Sequence, residues 1–290
     1  MWILLAVGSA VFAGITAILA KIGIKNTDSD VATALRTIVV WVFSWIMVGV
    51  TGSFMPLSDI PIQTMCLLLL SGMATGASWL CYFKALQLGD VNKVTPIDKS
   101  STVLTMILAV LFLGESLSVT MVFGMIGILV GTMLMIEKRK QAREEPVVTE
   151  KKGGWLVYAC LSAMFASVTS ILGKLGMEGI PSNLGTAIRT GVVLLMAWLV
   201  VLIQKKQSKI HGISSRNWIF LICSGITTGL SWLCYYRALQ KGPASIVAPI
   251  DKLSVLITVL FARVILKEQM SRKAIIGLCL LVAGTLLLLL

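Results

Sequence analysis

Six ionisable side chains within long apolar stretches are the residues of this sequence that could most readily do chemistry. They form three pairs whose members lie 153 positions apart: Arg36 and Arg189, Asp98 and Asp251, and Lys99 and Lys252. The acids can exchange protons or bind an amine, whereas the arginines and lysines can bind a carboxylate or another anion. An ionisable group inside a membrane segment costs about 2.5–3.5 kcal/mol on insertion scales and normally faces an interior cavity. The six residues therefore predict a polar site in apolar surroundings.

A structural role for the two acids is the alternative interpretation. Asp98 and Asp251 would then neutralise basic neighbours, although adjacent helical residues do not face each other, so that Lys99 is a poor partner for Asp98. The candidate partners are Lys21 or Arg36 for Asp98, and Lys174 or Arg189 for Asp251. Both roles are compatible, since ion pairs that break and re-form are common in gates. Four bases against two acids favour an anionic or zwitterionic ligand.

Aromatic and small residues follow the same duplication. Two Trp–Tyr pairs share a helix face and either line a cavity or serve packing: Trp79 with Tyr82, and Trp232 with Tyr235. Two GxxxG motifs on the same segments allow close helix contact and predict moving interfaces: Gly72 with Gly76, and Gly225 with Gly229. Four more glycines predict a helix contact or a dimer face: Gly124, Gly131, Gly277 and Gly284.

Two prolines and two glutamates lie near the ends of equivalent segments. Pro96 and Pro249 either begin a helix or break one, and a break would expose backbone groups beside the aspartates. Glu115 and Glu268 are predicted to cap a helix or to form an interface pair rather than to do chemistry.

Composition indicates which elements position these residues. Hydrophobic residues make up 57% of the 290 residues and charged residues 13%, whereas soluble domains carry roughly a quarter charged residues. A helix needs about 20 apolar residues to cross a bilayer. Ten segments qualify: 2–22, 32–51, 63–85, 92–113, 119–136, 155–175, 184–203, 217–238, 244–266 and 273–290. The sequence therefore predicts an all-α membrane protein with ten transmembrane helices.

Charge sets the expected orientation and excludes other classes. Most Lys and Arg residues of the short loops fall on one side, so the positive-inside rule predicts a cell-membrane protein with both termini outside the cytoplasm. The charged segment 138–153 becomes a cytoplasmic linker. The net charge of +12 does not indicate nucleic acid, because the basic residues lie in gaps between apolar runs. The six cysteines form no CxxC or Cys/His cluster, so no metal site or cofactor is expected.

The two halves of the chain are copies of each other. A shift of 153 aligns residues 1–137 with 154–290 without a gap and matches Ser78–Tyr82 with Ser231–Tyr235. Each half holds five predicted spans, and an odd number of crossings makes the second copy enter the membrane from the opposite side. The sequence therefore predicts two inverted five-helix repeats, which are typical of secondary transporters.

This pattern resembles the EamA branch of the drug/metabolite transporter superfamily. The resemblance rests on an Arg in the second helix of each half, an aromatic third helix that ends in Ala-Leu, a Pro near the start of the fourth helix, and a Gly-Glu or Lys-Glu after it. It covers essentially the whole chain. It implies a carrier of a small metabolite or amino acid, often an exporter, with the site between the halves.

We therefore expect a secondary transporter that exports an amino acid or a related polar or zwitterionic solute by alternating access. A proton-coupled exporter of cationic or aromatic drugs is the alternative. An intramembrane enzyme is disfavoured, because the sequence holds no HExxH motif, nucleophile–base set or phosphate loop. A non-transporting receptor is disfavoured by the inverted duplication. The expected partners are the lipid bilayer, a small-molecule substrate and protons as the coupling ion, and the expected state is a monomer or homodimer.

Overall fold

The computed structural model describes residues 1–23, 27–88, 94, 97–135, 154–265 and 271–289, and the regular structure within these ranges is helical. In the first half the helices are α1 (Trp2–Gly23), α2 (Ser29–Val50), α3 (Ile62–Leu88), α4 (Ser101–Leu113) and α5 (Val119–Met135). In the second half they are α6 (Gly154–Leu175), α7 (Ser182–Ile203), α8 (Ser215–Lys241), α9 (Ala244–Lys252), α10 (Ser254–Ile265) and α11 (Arg272–Leu287). Short 3-10 helices lie at Leu57–Asp59 and Gln207–Gly212. The predicted linker 138–153 lies outside the described residues.

Several helix ends follow directly from local residue chemistry. The Asp28 carboxylate caps α2 by accepting hydrogen bonds from the backbone N–H groups of Asp30 and Val31. Ser214 caps α8 in the same way, since short oxygen-bearing side chains satisfy the free N–H groups of a first turn. Helix α4 ends at Gly114, whose φ of +65° lies in the left-handed region that glycine adopts without strain.

Six of the described helices are long and apolar enough to cross a membrane, namely α1, α2, α3, α6, α7 and α8. Helix α5 is apolar but has 17 residues, and α11 has 16. The prediction of a helical membrane protein is therefore confirmed, but the ten uniform spans are not. The segment predicted as one span, 244–266, is divided into α9 and α10, which have 9 and 12 residues and are each too short to cross alone.

The division between α9 and α10 follows an internal proline. Pro249 lies five residues after the start of α9 at Ala244, so it does not begin this helix. Proline lacks the N–H that would bond to the carbonyl one turn earlier, and it weakens the helix at that point. Helix α9 then ends at Lys252, and the N–H of Leu253 bonds to the Ile250 carbonyl at 3.0 Å in a tight turn. Pro96, the equivalent residue, lies outside the described residues.

The two halves pack mainly against each other. Helix α1 packs on α8 as α6 packs on α3, and α1 packs on α10 as α6 packs on α4. Exchanging the halves therefore reproduces these contacts. The pairs α2–α7 and α5–α11 each join a helix to its own copy. The largest buried apolar cluster includes Leu68 of α3, Leu184 of α7 and Leu239 of α8, so the core itself spans both halves.

Loop contacts show that α2 and α7 run antiparallel. At the start of α2, Lys206 and Lys209 from the segment after α7 pair with the carboxylates of Asp30 and Asp28. At the other end of α2, Thr51 accepts a hydrogen bond at 2.9 Å from Asn183, which lies in the first turn of α7. The N-terminal end of each helix is thus next to the C-terminal end of its copy.

The GxxxG glycines lie where helices of opposite halves approach each other closely. Gly72 and Gly76 face α7, and Gly225 and Gly229 face α2. A Cβ atom added at these glycines would lie 2.6 Å from Val192, 2.5 Å from Met196, 2.6 Å from Val39 and 2.6 Å from Phe43, respectively. Only glycine fits at these distances, so the backbones meet through small residues.

The second glycine set joins α5 to α11 within one chain. A Cβ at Gly131 would lie 2.6 Å from the Gly277 carbonyl oxygen, and one at Gly284 would lie 2.9 Å from that of Gly124. These four glycines therefore form a helix contact inside the molecule. The order of the contacts also makes α5 and α11 antiparallel.

Replacing a glycine at the α3–α7 or α8–α2 contact is expected to destabilise the fold. Gly72→Ala places a methyl group 2.8 Å from the Arg189 carbonyl oxygen, and Gly225→Ala places one 3.1 Å from that of Arg36. Overpacking of this kind costs about 1–3 kcal/mol. Thermal unfolding in detergent measures the loss. Gly49→Ala is the control, because nothing lies within 4 Å of a Cβ there, and an equal loss in this variant would contradict the close-contact explanation.

Candidate functional site

A central cavity of about 240 Å³ is lined by residues of both halves. Its charged lining consists of Arg189, Asp251 and Lys252, and its aromatic lining of Trp232, Tyr235 and Tyr236. Hydroxyl groups of Thr75, Thr169, Ser170 and Ser231 complete the polar lining. The cavity therefore offers charges of both signs, neutral hydrogen-bonding groups and flat apolar surfaces, a mixture suited to a small polar molecule.

A second, larger cavity of about 420 Å³ adjoins the first, because Ala13 and Lys252 line both. Its walls come mainly from α1, α4, α5 and α10, and they are more apolar, with Ile128, Met135 and Val255. Lys99 is the further charged residue in its lining. Lys252 lies where the two chambers meet and follows directly on Asp251.

Each membrane-embedded acid is hydrogen-bonded by a serine of the other half. Ser9 Oγ donates to Asp251 at 2.6 Å, and Ser162 Oγ donates to Asp98 at 2.9 Å. The two serines are equivalent under the 153-residue shift, as are the two acids. The same interaction therefore occurs twice, once from the first half to the second and once in reverse.

A second serine in each half extends these contacts. Ser231 donates to the Ser9 carbonyl oxygen at 3.1 Å, and Ser78 donates to the Ser162 carbonyl oxygen at 3.0 Å. The hydroxyls of each pair also lie within hydrogen-bond distance of each other. Each acid is thus the end of a chain of hydroxyl groups that crosses between the halves.

The expected pairing of these acids with arginine or Lys174 is wrong. Arg189 and Arg36 bond to threonines, and Lys174 pairs with Glu115 at 3.0 Å. The side chain of Lys21 lies outside the described residues. The sequence shows which helices carry these bases, but it does not show which helix of the opposite half packs next to each acid.

Two equivalent Asp-Lys elements, Asp98–Lys99 and Asp251–Lys252, lie close enough for their charges to interact. Lys99 interacts electrostatically with Lys252, Asp98 and Asp251. The two elements therefore meet at the centre of the molecule although they lie 153 residues apart. Two acids and two bases balance in charge, so this group contributes no net charge when all four side chains are ionised.

The side chain of Arg189 is buried between hydroxyl groups and aromatic rings. It is 1% exposed; its Nη2 donates to Thr75 at 2.9 Å and its Nε to Ser71 at 3.3 Å. Its guanidinium lies 4.3 Å from the ring centroid of Tyr236 and 5.5 Å from that of Trp232. Such stacking on aromatic faces stabilises a desolvated cation.

Arg36, the equivalent of Arg189, lies outside the linings of both cavities within the described part of the chain. Its Nη2 donates to Thr228 at 2.9 Å, which repeats the Arg189–Thr75 bond. The arginine–threonine hydrogen bond is thus present in both halves, but only Arg189 lines the central cavity.

The two predicted aromatic pairs have different surroundings. Trp232 and Tyr235 line the central cavity, and the Tyr235 hydroxyl lies 3.1 Å from Ser170 Oγ. Trp79 packs against a buried apolar cluster with Leu35, Ala197 and Val201. Tyr82 packs against a separate one with Ala85, Val94 and Ala159.

Sequence reasoning missed Ser9, Ser162 and Tyr236. Ser9 and Ser162 are identical in the two halves, so the repeat alignment did contain a signal for them. A serine in an apolar helix carries no charge, however, and it did not stand out beside the ionisable residues. Tyr236 is replaced by Phe83 in the first half, and this departure from the repeat was the available signal.

Comparison with known proteins identifies the family. The model of the EamA-like transporter family matches residues 1–137 and 153–290. The chain belongs to the EamA-like transporter family. This membership, together with relatives that are named as transporters, indicates a multi-pass membrane transporter rather than an enzyme.

Two relatives and one solved structure extend the comparison. An "Uncharacterized transporter in cobO 3'region" from Sinorhizobium sp is 46% identical over 134 residues, which cover 46% of this chain and 95% of that protein. The "Uncharacterized transporter YxxF" of Bacillus subtilis (strain 168) is 25% identical over 166 residues, or 56% of this chain and 50% of that protein. A protein crystal structure matches 99% of this chain and 96% of its own at a TM-score of 0.77, with 18% identity, which shows a shared fold.

Glu115 forms a clamp between the halves of this EamA-family chain. The clamp comprises Glu115 from the loop after α4, Lys174 from the end of α6, and the first turn of α9. The carboxylate accepts from Lys174 Nζ at 3.0 Å and from the backbone N–H groups of Ala244 and Ser245 at 2.6 and 2.9 Å. Lys174 also donates to the Gly242 carbonyl at 2.8 Å. Glu115 thus caps the helix that ends at Asp251 and Lys252.

The clamp is expected to be sensitive to acid. Burial would raise the pKa of the Glu115 carboxyl, but hydrogen bonds from Ser245, Lys174 and Ala244 outweigh it and hold the pKa below its usual value of 4.5. A carboxyl with a lowered folded-state pKa stabilises the fold above its unfolded-state pKa. This stabilisation is lost as the pH falls through the lowered folded-state pKa.

Glu115→Gln is therefore expected to lower the unfolding temperature at neutral pH. Loss of a charge-assisted bond costs about 1–3 kcal/mol, and the difference from wild type should shrink once the pH falls below 4.5. Thermal unfolding measured across pH checks this. Glu178→Gln, at an exposed loop position, is the control; a difference for Glu115→Gln that is constant over pH would contradict the ionised clamp.

Proposed function

We propose that this protein exports an amino acid or a related polar, zwitterionic solute across the cell membrane by alternating access, with the central cavity as its binding site. The observation that carries the proposal is the position of Asp251 in that cavity, held by Ser9 of the other half. Arg189 and Lys252 lie in the same lining. Opposite charges in one small cavity are complementary to a molecule that itself carries both signs.

Inverted repeats supply the mechanism that we propose. The antiparallel packing of α2 on α7 and of α5 on α11 supports a two-fold axis perpendicular to these helices, which would lie in the membrane plane. A relative matched over 95% of its own length by 46% of this chain is of single-repeat size, which supports an origin by duplication. Two equivalent packings of such halves would open the central site to each side in turn.

The serine–aspartate contacts are suited to such an exchange. Ser9–Asp251 and Ser162–Asp98 join opposite halves at equivalent positions. When one half tilts relative to the other, one contact could lengthen while its equivalent shortens. Protonation of either acid would remove its electrostatic attraction to Lys99, so proton coupling is part of the proposal.

The inverted orientation predicts opposite accessibility for two exposed loop positions. Lys209 lies in the segment between α7 and α8, and Glu178 lies between α6 and α7. In a background without native cysteines, Lys209→Cys is expected to react with impermeant maleimide only from the cytoplasm. Glu178→Cys should react only from outside. Labelling of both from the same side would contradict the proposed arrangement.

Flux in proteoliposomes tests the transport proposal. Purified protein should carry at least one solute of an amino-acid mixture, followed by mass spectrometry, faster than protein-free vesicles. Asp251→Asn and Asp98→Asn remove the titrating groups and are expected to abolish the dependence of flux on a pH gradient. Asp59→Asn, at an exposed loop position, is the matched control. Flux no faster than in empty vesicles refutes the amino-acid proposal, and gradient-dependent flux in both neutral variants refutes proton coupling.

A proton-coupled exporter of cationic aromatic drugs is the second candidate. The aromatic lining by Trp232, Tyr235 and Tyr236 beside Asp251 favours it. Arg189 opposes it, because a desolvated guanidinium in the same lining repels a cation. Flux of ethidium that exceeds flux of every amino acid in the same vesicles would favour this candidate over the first.

A further inference from the structure

The guanidinium of Arg189 retains an unused donor beside the central cavity. Nε and Nη2 donate to Ser71 and Thr75, whereas Nη1 is buried and meets no hydrogen-bond acceptor among the described residues. Burying a charged donor without an acceptor costs more free energy than burying a neutral one in the same way. An acceptor atom of a bound ligand would pair with this donor and remove the cost.

No carboxylate of the described residues lies within ion-pair distance of Arg189. The nearest acid in the same cavity lining is Asp251, which already accepts from Ser9. With Arg189, Lys252 and Asp251 ionised, the lining carries one net positive charge. That balance favours a singly charged anionic group over a dianion, which Asp251 would repel.

Among the described residues Arg36 also has a buried donor without an acceptor, its Nε, but it lines neither cavity, and two hydroxyl groups near Arg189 occur in only one half. Tyr236, which stacks on its guanidinium, corresponds to Phe83 in the first half, and Ser170, which contacts Tyr235, corresponds to Ala17. The second half therefore carries two hydroxyl groups that its copy lacks. Because the first half lacks these hydroxyl groups, the packing that the two halves share does not depend on them. Their position at the cavity is consistent with a role in ligand binding.

We propose that Nη1 of Arg189 binds the carboxylate of the solute while the rings of Trp232 and Tyr236 contact its apolar body. The inference rests on the proposed transport function and assigns one end of the solute to one side chain. Guanidinium groups recognise carboxylates through paired, charge-assisted hydrogen bonds. Because Nη1 is covered in this structure, binding requires a displacement of the neighbouring rings, and Trp232 reports it.

Binding of benzoate, followed by tryptophan fluorescence of the detergent-purified full chain, tests the proposal. We expect a saturable change with benzoate, and at least about tenfold weaker binding of the isosteric neutral benzamide and of benzylamine, since one lost charge-assisted bond accounts for that factor. Trp232→Phe should abolish most of the signal. This comparison uses the wild-type protein and does not depend on any arginine variant folding.

Matched variants locate the site. Arg189→Gln should weaken benzoate binding at least about tenfold, whereas Arg36→Gln, the same change at the equivalent position, should leave it within about twofold. Equal weakening by both variants, equal binding of benzamide, tighter binding of phenyl phosphate, or no saturable binding of benzoate would each overturn the proposal. Flux in vesicles without benzoate binding would remove the Arg189 site and leave the transport function intact. Saturable benzoate binding without flux would support the Arg189 site and refute the transport function.

Discussion

The structure depends on a single constraint: ionisable groups enclosed by apolar helices must find polar partners, and here those partners come from the opposite half. Ser9 bonds to Asp251, and Ser162 bonds to Asp98. Desolvation makes an unpartnered acid expensive, so neither half can bury its aspartate favourably without the other. The cross-half hydrogen bonds and the close glycine contacts together join two copies of one sequence into a single structure.

This dependence connects stability with movement. A neutral serine donor holds a carboxylate less firmly than an arginine would, because hydrogen bonds between two charged groups are stronger. In the proposed mechanism, the contacts at the centre are therefore weak enough for a tilt of the halves to exchange them. Glu115 provides the stronger, charged contact, and it lies at the start of α9 rather than at the cavity. The firm contact thus sits at one end of α9 and the exchangeable one at the other.

The main features of this arrangement could be predicted from the sequence. Burial of charge is costly in any fold, so the types and spacing of the three duplicated ionisable pairs are enough to indicate a polar centre. The partners of these groups could not be predicted, because they depend on which helices of the two halves become neighbours. Lys174 illustrates the limit: its helix packs beside both α3 and α4, and Glu115 reaches it from the loop that follows α4.

The length of one predicted helix, 244–266, is overestimated for a similar reason. Hydropathy counts apolar residues and does not register where the backbone turns, so 244–266 was predicted as one span. The interior Pro249 and the turn at Leu253 divide it. Lys252 is the last residue before this turn, and it lines both cavities.

Positions at which the two halves differ carry information about the cavity. In the proposed alternating-access mechanism, identical residues at equivalent positions would make the two packings of the halves equal in energy. Tyr236 in place of Phe83, and Ser170 in place of Ala17, add hydroxyl groups beside Arg189 in one half only. In the proposed mechanism, these differences would make the two packings unequal in energy and would leave one arginine to act on a ligand. A ligand can shift that equilibrium only by its difference in affinity for the two packings. In the proposed mechanism, the residues that break the repeat at the cavity would give rise to this difference in affinity.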